Sequence, residues 1–99
     1  MTVRFLSLAR QELDDAHDWY EQQCAGLGRE FLDEVDRVVR RIRRYPESCA
    51  ELALGLRRGL LARFPYGLIY GRDGEALVIV AVAHLHRRPQ YWVDRLKTS

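Results

Sequence analysis

Tyr66-Gly67-Leu68-Ile69-Tyr70-Gly71-Arg72-Asp73-Gly74-Glu75-Ala76-Leu77-Val78-Ile79-Val80-Ala81-Val82-Ala83-His84-Leu85 reads as two strands and the turn that joins them. Asp73-Gly74 is the joint, because both central positions of a type I′ turn favour residues that accept positive φ. The reading predicts strands over 66–72 and 75–85. In the second of these, Leu77, Val78, Val80 and Val82 and their neighbours Ile79, Ala81 and Ala83 are apolar at both parities. That pattern marks a central strand covered on both faces. Upstream, 56–64 predicts another strand, separated from the hairpin by Pro65. Downstream, Pro89 introduces a short terminal segment, 90–96, that carries Tyr91 and Trp92.

Before residue 50 the period changes. Thr2 to Leu6 is short and rich in Val, Phe and Leu, as an initial strand is, and Ser7 stands where a helix cap is expected. Ala9, Leu13, Ala16 and Tyr20 then recur at helical spacing, while Glu12, Asp14, Asp15, Asp18 and Glu21 mostly fall off that stripe, and Asp14, Asp15 and Asp18 read as a solvated face. Gly26 and Gly28 bracket Leu27 and mark a tight connection. Phe31, Val35, Val38, Ile42 and Tyr45 give a second stripe, stopped at Tyr45-Pro46. A short link between two matching stripes predicts an antiparallel helical hairpin. Helix two also runs from acids (Glu30, Asp33, Glu34) to Arg40, Arg41, Arg43 and Arg44, the order its macrodipole favours. Trp19 and Tyr20 read as core, and His17 as surface. The expected fold is α+β with the order β-α-α-β-β-β: the helical hairpin packs on a small, mostly antiparallel sheet, with a short C-terminal segment. Residues 1–99 are expected to form a single domain.

Ninety-nine residues with a hydrophobic fraction of 47% and 10% aromatics are enough for one core. There is no run of about 18 apolar residues and no basic region followed by an apolar stretch, so neither a membrane span nor secretion is expected. Cys24 and Cys49 lie far apart without metal-type spacing; reduced thiols and a cytoplasmic location follow as expectations. The net charge of +2 hides an asymmetry: residues 1–36 hold nine acids and three bases (−6), and residues 37–99 five acids and thirteen bases (+8). Fifteen of the sixteen bases are Arg, whose planar fork suits carboxylates and phosphates. The same split also suits a solvated face balanced by the acidic half.

No Gly-rich phosphate loop, G-x-S-x-G, H-E-x-x-H or C-x-x-C occurs, so small-molecule enzymology and a cofactor are not expected. Polar groups concentrate on the strand half: Arg57, Arg58, Arg63, Tyr66, Tyr70, His84, His86, Arg87, Arg88, Tyr91 and Trp92. Interleaved Arg and aromatic side chains can bind phosphates and stack on bases, or form the hot spots of a protein interface. His84 and His86 point the same way from a strand end, but no third ligand lies nearby and no metal is expected. RNA cleavage would use His or Tyr as general base and Arg to stabilise the phosphorane. Alternatively, one His hydrogen-bonds locally and the other is solvated.

The segment Arg63-Phe64-Pro65-Tyr66-Gly67-Leu68-Ile69-Tyr70, followed by Ala81-Val82-Ala83-His84, by Arg87-Arg88-Pro89 and by Tyr91-Trp92, resembles the C-terminal half of RelE/ParE-type toxins. Ala9, Leu13, Ala16, Trp19, Tyr20 and Glu21, and Gly28 with Phe31-Leu32, extend the resemblance over roughly residues 3–95. It implies the toxin of a type II toxin–antitoxin pair, masked by a cognate antitoxin protein. The Arg-Phe-Pro-Tyr strand and the His-x-x-Arg-x-Pro-x-x-Trp ending resemble the ParE-like branch, which implies inhibition of DNA gyrase without hydrolytic chemistry. The target-binding residues would then be Arg57, Arg58, Arg63, His84, Arg87, Arg88, Tyr91 and Trp92. The alternatives are a ribosome-dependent mRNA endoribonuclease and a toxin-fold interaction module with another target. The lysine-rich catalytic set of RelE has no match, because Lys97 is the only lysine. An acid–Arg–His–Tyr set is imitated by Glu51, Arg63, His84 and Tyr91, so Arg63, His84 and Tyr91 are the catalytic candidates if RNA is cleaved.

Overall fold

Both helices form where their apolar stripes lie, but their starts differ from expectation. The computed structural model describes residues 1–97. Strand β1 (Thr2–Phe5) passes directly into helix α1 (Ser7–Gln23). Leu6 belongs to both: its N–H donates to the Ile79 carbonyl at 3.0 Å, and its own carbonyl accepts from Arg10 at 2.9 Å. Ser7 is therefore already helical, and the cap is Leu6 without a side-chain bond.

Helix α2 (Leu27–Arg44) starts after Gly26, whose φ of 89° is a left-handed conformation that glycine tolerates best. Glu21 supplies the cap from the other helix, accepting from the N–H groups of Gly26 at 2.9 Å and Gly28 at 3.0 Å. The Gly26 bond, with that from Gly28, holds the Glu21 carboxyl below the usual glutamate range. The helices cross closely at Gly28, where a Cβ would lie 2.8 Å from the His17 carbonyl oxygen. Ala9, Leu13 and Ala16 meet Phe31, Val35, Val38 and Ile42 in one core, each large aliphatic or Phe contributing about 1.5–3 kcal/mol. Tyr45 does not continue the stripe. It is the C-cap, turned out of helical register before Pro46 and exposed. Trp19, expected in the core, is also exposed, whereas Tyr20 packs between Phe31 and Phe64.

The sheet has five strands in the order β1-β5-β4-β3-β2. β2 (Ala50–Glu51), β3 (Arg57–Leu60), β4 (Tyr66–Asp73) and β5 (Ala76–His84) pair antiparallel in sequence, and β1 lies parallel to β5. The two-residue β2 was not expected, and β3 is shorter than the predicted 56–64. Glu34 accounts for the shortening. This carboxylate on α2 is only 2% exposed and accepts from the N–H groups of Ala62 and Arg63 and from Arg63 Nε, so 61–65 is held as a loop against the helix. Burial pushes the Glu34 carboxyl up, but those bonds outweigh it and leave it below the usual range.

Asp73 pairs with Ala76, so the hairpin loop is Gly74-Glu75 rather than Asp73-Gly74. Only Gly74 has positive φ there, which is what a type II′ loop requires at its first position. Both parities of β5 are apolar because both of its faces are covered, and a bulge shifts the alternation along it. Ile69 faces Ala81 but Tyr70 faces Ile79, which leaves Val80 as the extra residue. Leu77, Ile79 and Val82 accordingly face the helices, while Val80, Ala81 and Ala83 pack on the other side with Leu56, Ile69 and Trp92. The C-terminal segment, ending in a 3₁₀ turn (Val93–Lys97), covers part of that second face.

Candidate functional site

The second face owes its shape to an open edge. β1 stops at Phe5, so the remainder of β5 has no neighbouring strand on that side. Side chains replace it: Glu12 Oε1 accepts the Val82 N–H at 3.0 Å, and Arg95 Nη1 donates to the Val80 carbonyl at 3.0 Å. Glu12 and Arg95 meet in a fork of 2.8 and 2.9 Å, and Tyr91 donates its hydroxyl to Glu12 Oε2 at 2.5 Å. Burial pushes the Glu12 carboxyl up, but the bonds from Arg95, Tyr91 and Val82 bring it below its usual range. Burial and the bond to Glu12 push the Tyr91 hydroxyl well above the usual tyrosine range. Glu12 thus ties the terminal segment to α1 and β5.

Beside this network lies an open cleft of ≈ 200 Å³ between β3, the end of β5 and the terminal segment. Arg58, His84, Arg87, Arg88, Tyr91 and Trp92 line it with Leu52, Ile69, Ala83, Leu85, Pro89 and Gln90, and none of these is acidic. The stem of Arg58 lies across Gly67, where a Cβ would sit 2.9 Å from its Cγ. Its Nε is buried without a hydrogen-bond partner. Arg87 stacks its guanidinium 3.9 Å from the Tyr91 ring centroid. The His84 Nδ1 accepts from the His86 N–H at 3.0 Å, so the neutral ring carries its proton on Nε2. Tyr66, His84 and His86 form a row of rings with centroids 5.0 Å apart at each step.

Six of the eight predicted binding residues therefore share one cleft, and two do not. Arg63 is held by Glu30 and Glu34, each at 3.2 Å. Arg57 donates to the carbonyls of Glu47 and Cys49 and lines a different hollow with Glu51 and Tyr70. The acid–Arg–His–Tyr set is dispersed in the same way, since Glu51 and Arg63 lie outside the cleft of His84 and Tyr91. Trp92 is only 3% exposed, a wall of the cleft rather than a free ring. Sequence reasoning missed Glu12, Glu34 and Arg95. The first two carried a signal, since Glu12 is three residues from Ala9 and four from Ala16, and Glu34 is three from Phe31 and four from Val38, spacings that put them on the buried stripes. Among the described residues, no cluster of three His, Cys, Asp or Glu is placed to hold a metal ion, and no helix is long and apolar enough to cross a membrane.

A sequence model of the ParE toxin of the type II toxin–antitoxin system parDE matches residues 3–90. The chain belongs to the ParE toxin family. The match includes α1, the strands and the Arg87-Arg88 turn, and it ends before Tyr91, Trp92 and Arg95. Among solved structures, a chain described as the chromosomal ParDE TA system from P. aeruginosa is similar in fold, with a TM-score of 0.65 at 17% identity, over 87% of this chain and 97% of that one. No curated protein sequence matches.

Proposed function

We propose that this ParE-family toxin is neutralised by a cognate antitoxin and acts by binding DNA gyrase rather than by hydrolysis. One observation carries the preference for binding: two of the three catalytic candidates, Arg63 and Tyr91, are committed to carboxylates, while three arginines of the cleft have none among the described residues. Tyr91 donates its hydroxyl to Glu12 and Arg63 is paired with Glu30 and Glu34, so of the three catalytic candidates only His84 lines the cleft without a carboxylate partner. A general base must reach its proton, and one already bonded to a carboxylate is poorly disposed to do so. Arg87 and Arg88, by contrast, are exposed and Arg58 is half-buried, all three lining a cleft without a carboxylate. Antitoxin masking is supported by the family and by apolar groups left in water, with Leu8 55% and Trp19 57% exposed on α1. The partner's binding segment is expected to be acidic where it meets the arginines.

The test uses purified wild type with His84→Ala, Arg87→Ala and Arg88→Ala, assayed for gyrase supercoiling and for mRNA cleavage on translating ribosomes. Wild type should inhibit supercoiling. His84→Ala should be mild, and each Arg variant should lose at least about 1–2 kcal/mol of binding, as interface hot spots do. Ribosome-dependent cleavage that His84→Ala lowers by roughly 10²–10⁴-fold, with supercoiling intact, would establish the endoribonuclease instead.

A further inference from the structure

We infer that the tip of the β2–β3 hairpin, centred on Leu54, is a contact surface for the toxin's protein target and seats its leucine in an apolar pocket there. The inference rests on the gyrase-binding reading and deepens it. Leu54 is 63% exposed, more than any other large apolar side chain among the described residues. An exposed leucine alone is ordinary on a protein surface. Its backbone is not.

Leu54 has φ 64° and ψ 25°, and Gly55 follows with φ 73°. The two are the central residues of a turn closed by the Leu56 N–H, which donates to the Ala53 carbonyl at 3.3 Å. Positive φ at both centres is the type I′ pattern, for which Asn-Gly is a preferred pair. Glycine stands where it is expected, but the position before it holds a leucine, whose Cβ crowds the following carbonyl oxygen in this conformation. A side chain so exposed gains little packing within the protein to offset that strain. Stability therefore favours another residue at 54, and the advantage of leucine lies in a contact made outside the folded chain.

The second strained residue gives the surface its extent. Among the described residues, the one other non-glycine with positive φ is Gln90, at 61°. It is the third residue of the turn Arg88-Pro89-Gln90-Tyr91, closed by the Tyr91 N–H on the Arg88 carbonyl at 3.3 Å, a type II position that favours Gly or Asn. Gln90 lines the arginine cleft, and the hairpin sends Leu52 and Arg58 into the same lining. Both strained turns thus border one cleft, and such strain gathers at contact sites. The kind of partner follows. A leucine at the tip needs a concave apolar pocket, and the exposed Arg87 and Arg88 of the adjoining cleft need carboxylates, so the fit is a folded protein whose apolar hollow has an acidic rim. The antitoxin-facing groups lie elsewhere: Leu8 and Trp19 are on α1, which is tied to β5, whereas β2 and β3 end the strand order on the far side of β4.

The experiment compares the full chain as wild type and as Leu54→Asn, by Tm of the free protein, by inhibition of purified gyrase in supercoiling, and by growth arrest on induction at matched protein level. Leu54→Asn should raise Tm by about 2–6 °C, because Asn accepts the left-handed region. It should also weaken gyrase inhibition by about 10–100-fold, the loss of one buried leucine. A leucine that served only the fold would not give a gain in stability with a loss of inhibition. A fall in Tm, or undiminished inhibition, would overturn the inference, and the second result would leave the tip to the antitoxin. Light scattering checks a second copy as the occupant: a wild-type dimer that Leu54→Asn converts to monomer would overturn it as well. Wild type that arrests growth without inhibiting gyrase defeats the gyrase reading alone. Growth arrest then decides the tip: arrest lost in Leu54→Asn keeps the target contact, whereas equal arrest, or none by wild type, defeats it.

Discussion

Replacing Glu12 by Gln tests whether the terminal segment is held by the Glu12–Arg95–Tyr91 network. The change keeps an oxygen that can accept the Val82 N–H, but it removes the charge that faces Arg95 through two bonds and Tyr91 through one. The two side chains are 16% and 13% exposed, so solvent screens them little and Arg95 would lose its carboxylate in a largely dry setting. Breaking a buried pair costs about 3–5 kcal/mol, and the retained amide contacts reduce this to about 3 kcal/mol. For a domain of this size that corresponds to a fall in Tm of roughly 12–24 °C, followed by circular dichroism and Trp92 fluorescence. The pH dependence gives a second reading. The Glu12 carboxyl lies below its ordinary value of 4.5 when folded, so its contribution is present above that pH and is lost as pH falls through the lower, folded value. Wild type should therefore lose stability more steeply below pH 4.5 than Glu12→Gln. A fall in Tm of less than about 3 °C at neutral pH, or coupling below about 0.5 kcal/mol in a cycle with Arg95→Gln, would refute the reasoning.

Val38→Asp places an unpaired carboxylate in the helix–sheet core at a position 4% exposed; it should cost several kcal/mol and unfold the domain, and an unchanged melting temperature would remove this account of the core. Gly28→Ala drives a methyl against the His17 carbonyl oxygen 2.8 Å away and should lower the urea midpoint by an amount equivalent to about 1–3 kcal/mol; a neutral result would mean the helices are free to separate there. Trp92→Ala should cost about 3–5 kcal/mol of stability, read by chemical denaturation, whereas exposed Arg88→Ala should stay within about 0.5 kcal/mol. Loss of function in the Trp92 variant would then report unfolding, and only the Arg variants can report binding.

The fold was legible where one face of an element decides its structure. Phe31, Val35, Val38 and Ile42 repeat at helical spacing because a helix has one buried stripe, and Leu77 to Ala83 are apolar throughout because β5 is covered on both sides. The Val80 bulge was hidden by that uniformity: where both parities are apolar, an extra residue leaves no trace in the pattern. β2 is two residues long, too short for any period, and β3 ends early because of Glu34, which reaches it from another element.

The same distinction separates the legible part of the candidate site from the rest. The sequence placed Arg57, Arg58, Arg63, His84, Arg87, Arg88, Tyr91 and Trp92 together on the strand half of the chain, but whether each guanidinium meets a carboxylate depends on contacts that span tens of residues. Arg63 and Arg95 look no different from Arg58 in sequence; Glu34 and Glu12 take up the first two, at separations of 29 and 83 residues, and no acid reaches the third. Composition counts fifteen arginines, whereas folding pairs five of them, Arg4, Arg29, Arg40, Arg63 and Arg95, with carboxylates. The half-chain charge asymmetry overstated the available surface for this reason. Part of the +8 half is turned inward by the −6 half through Glu12, Glu30 and Glu34, while three of the arginines that have no carboxylate partner among the described residues line one acid-free cleft.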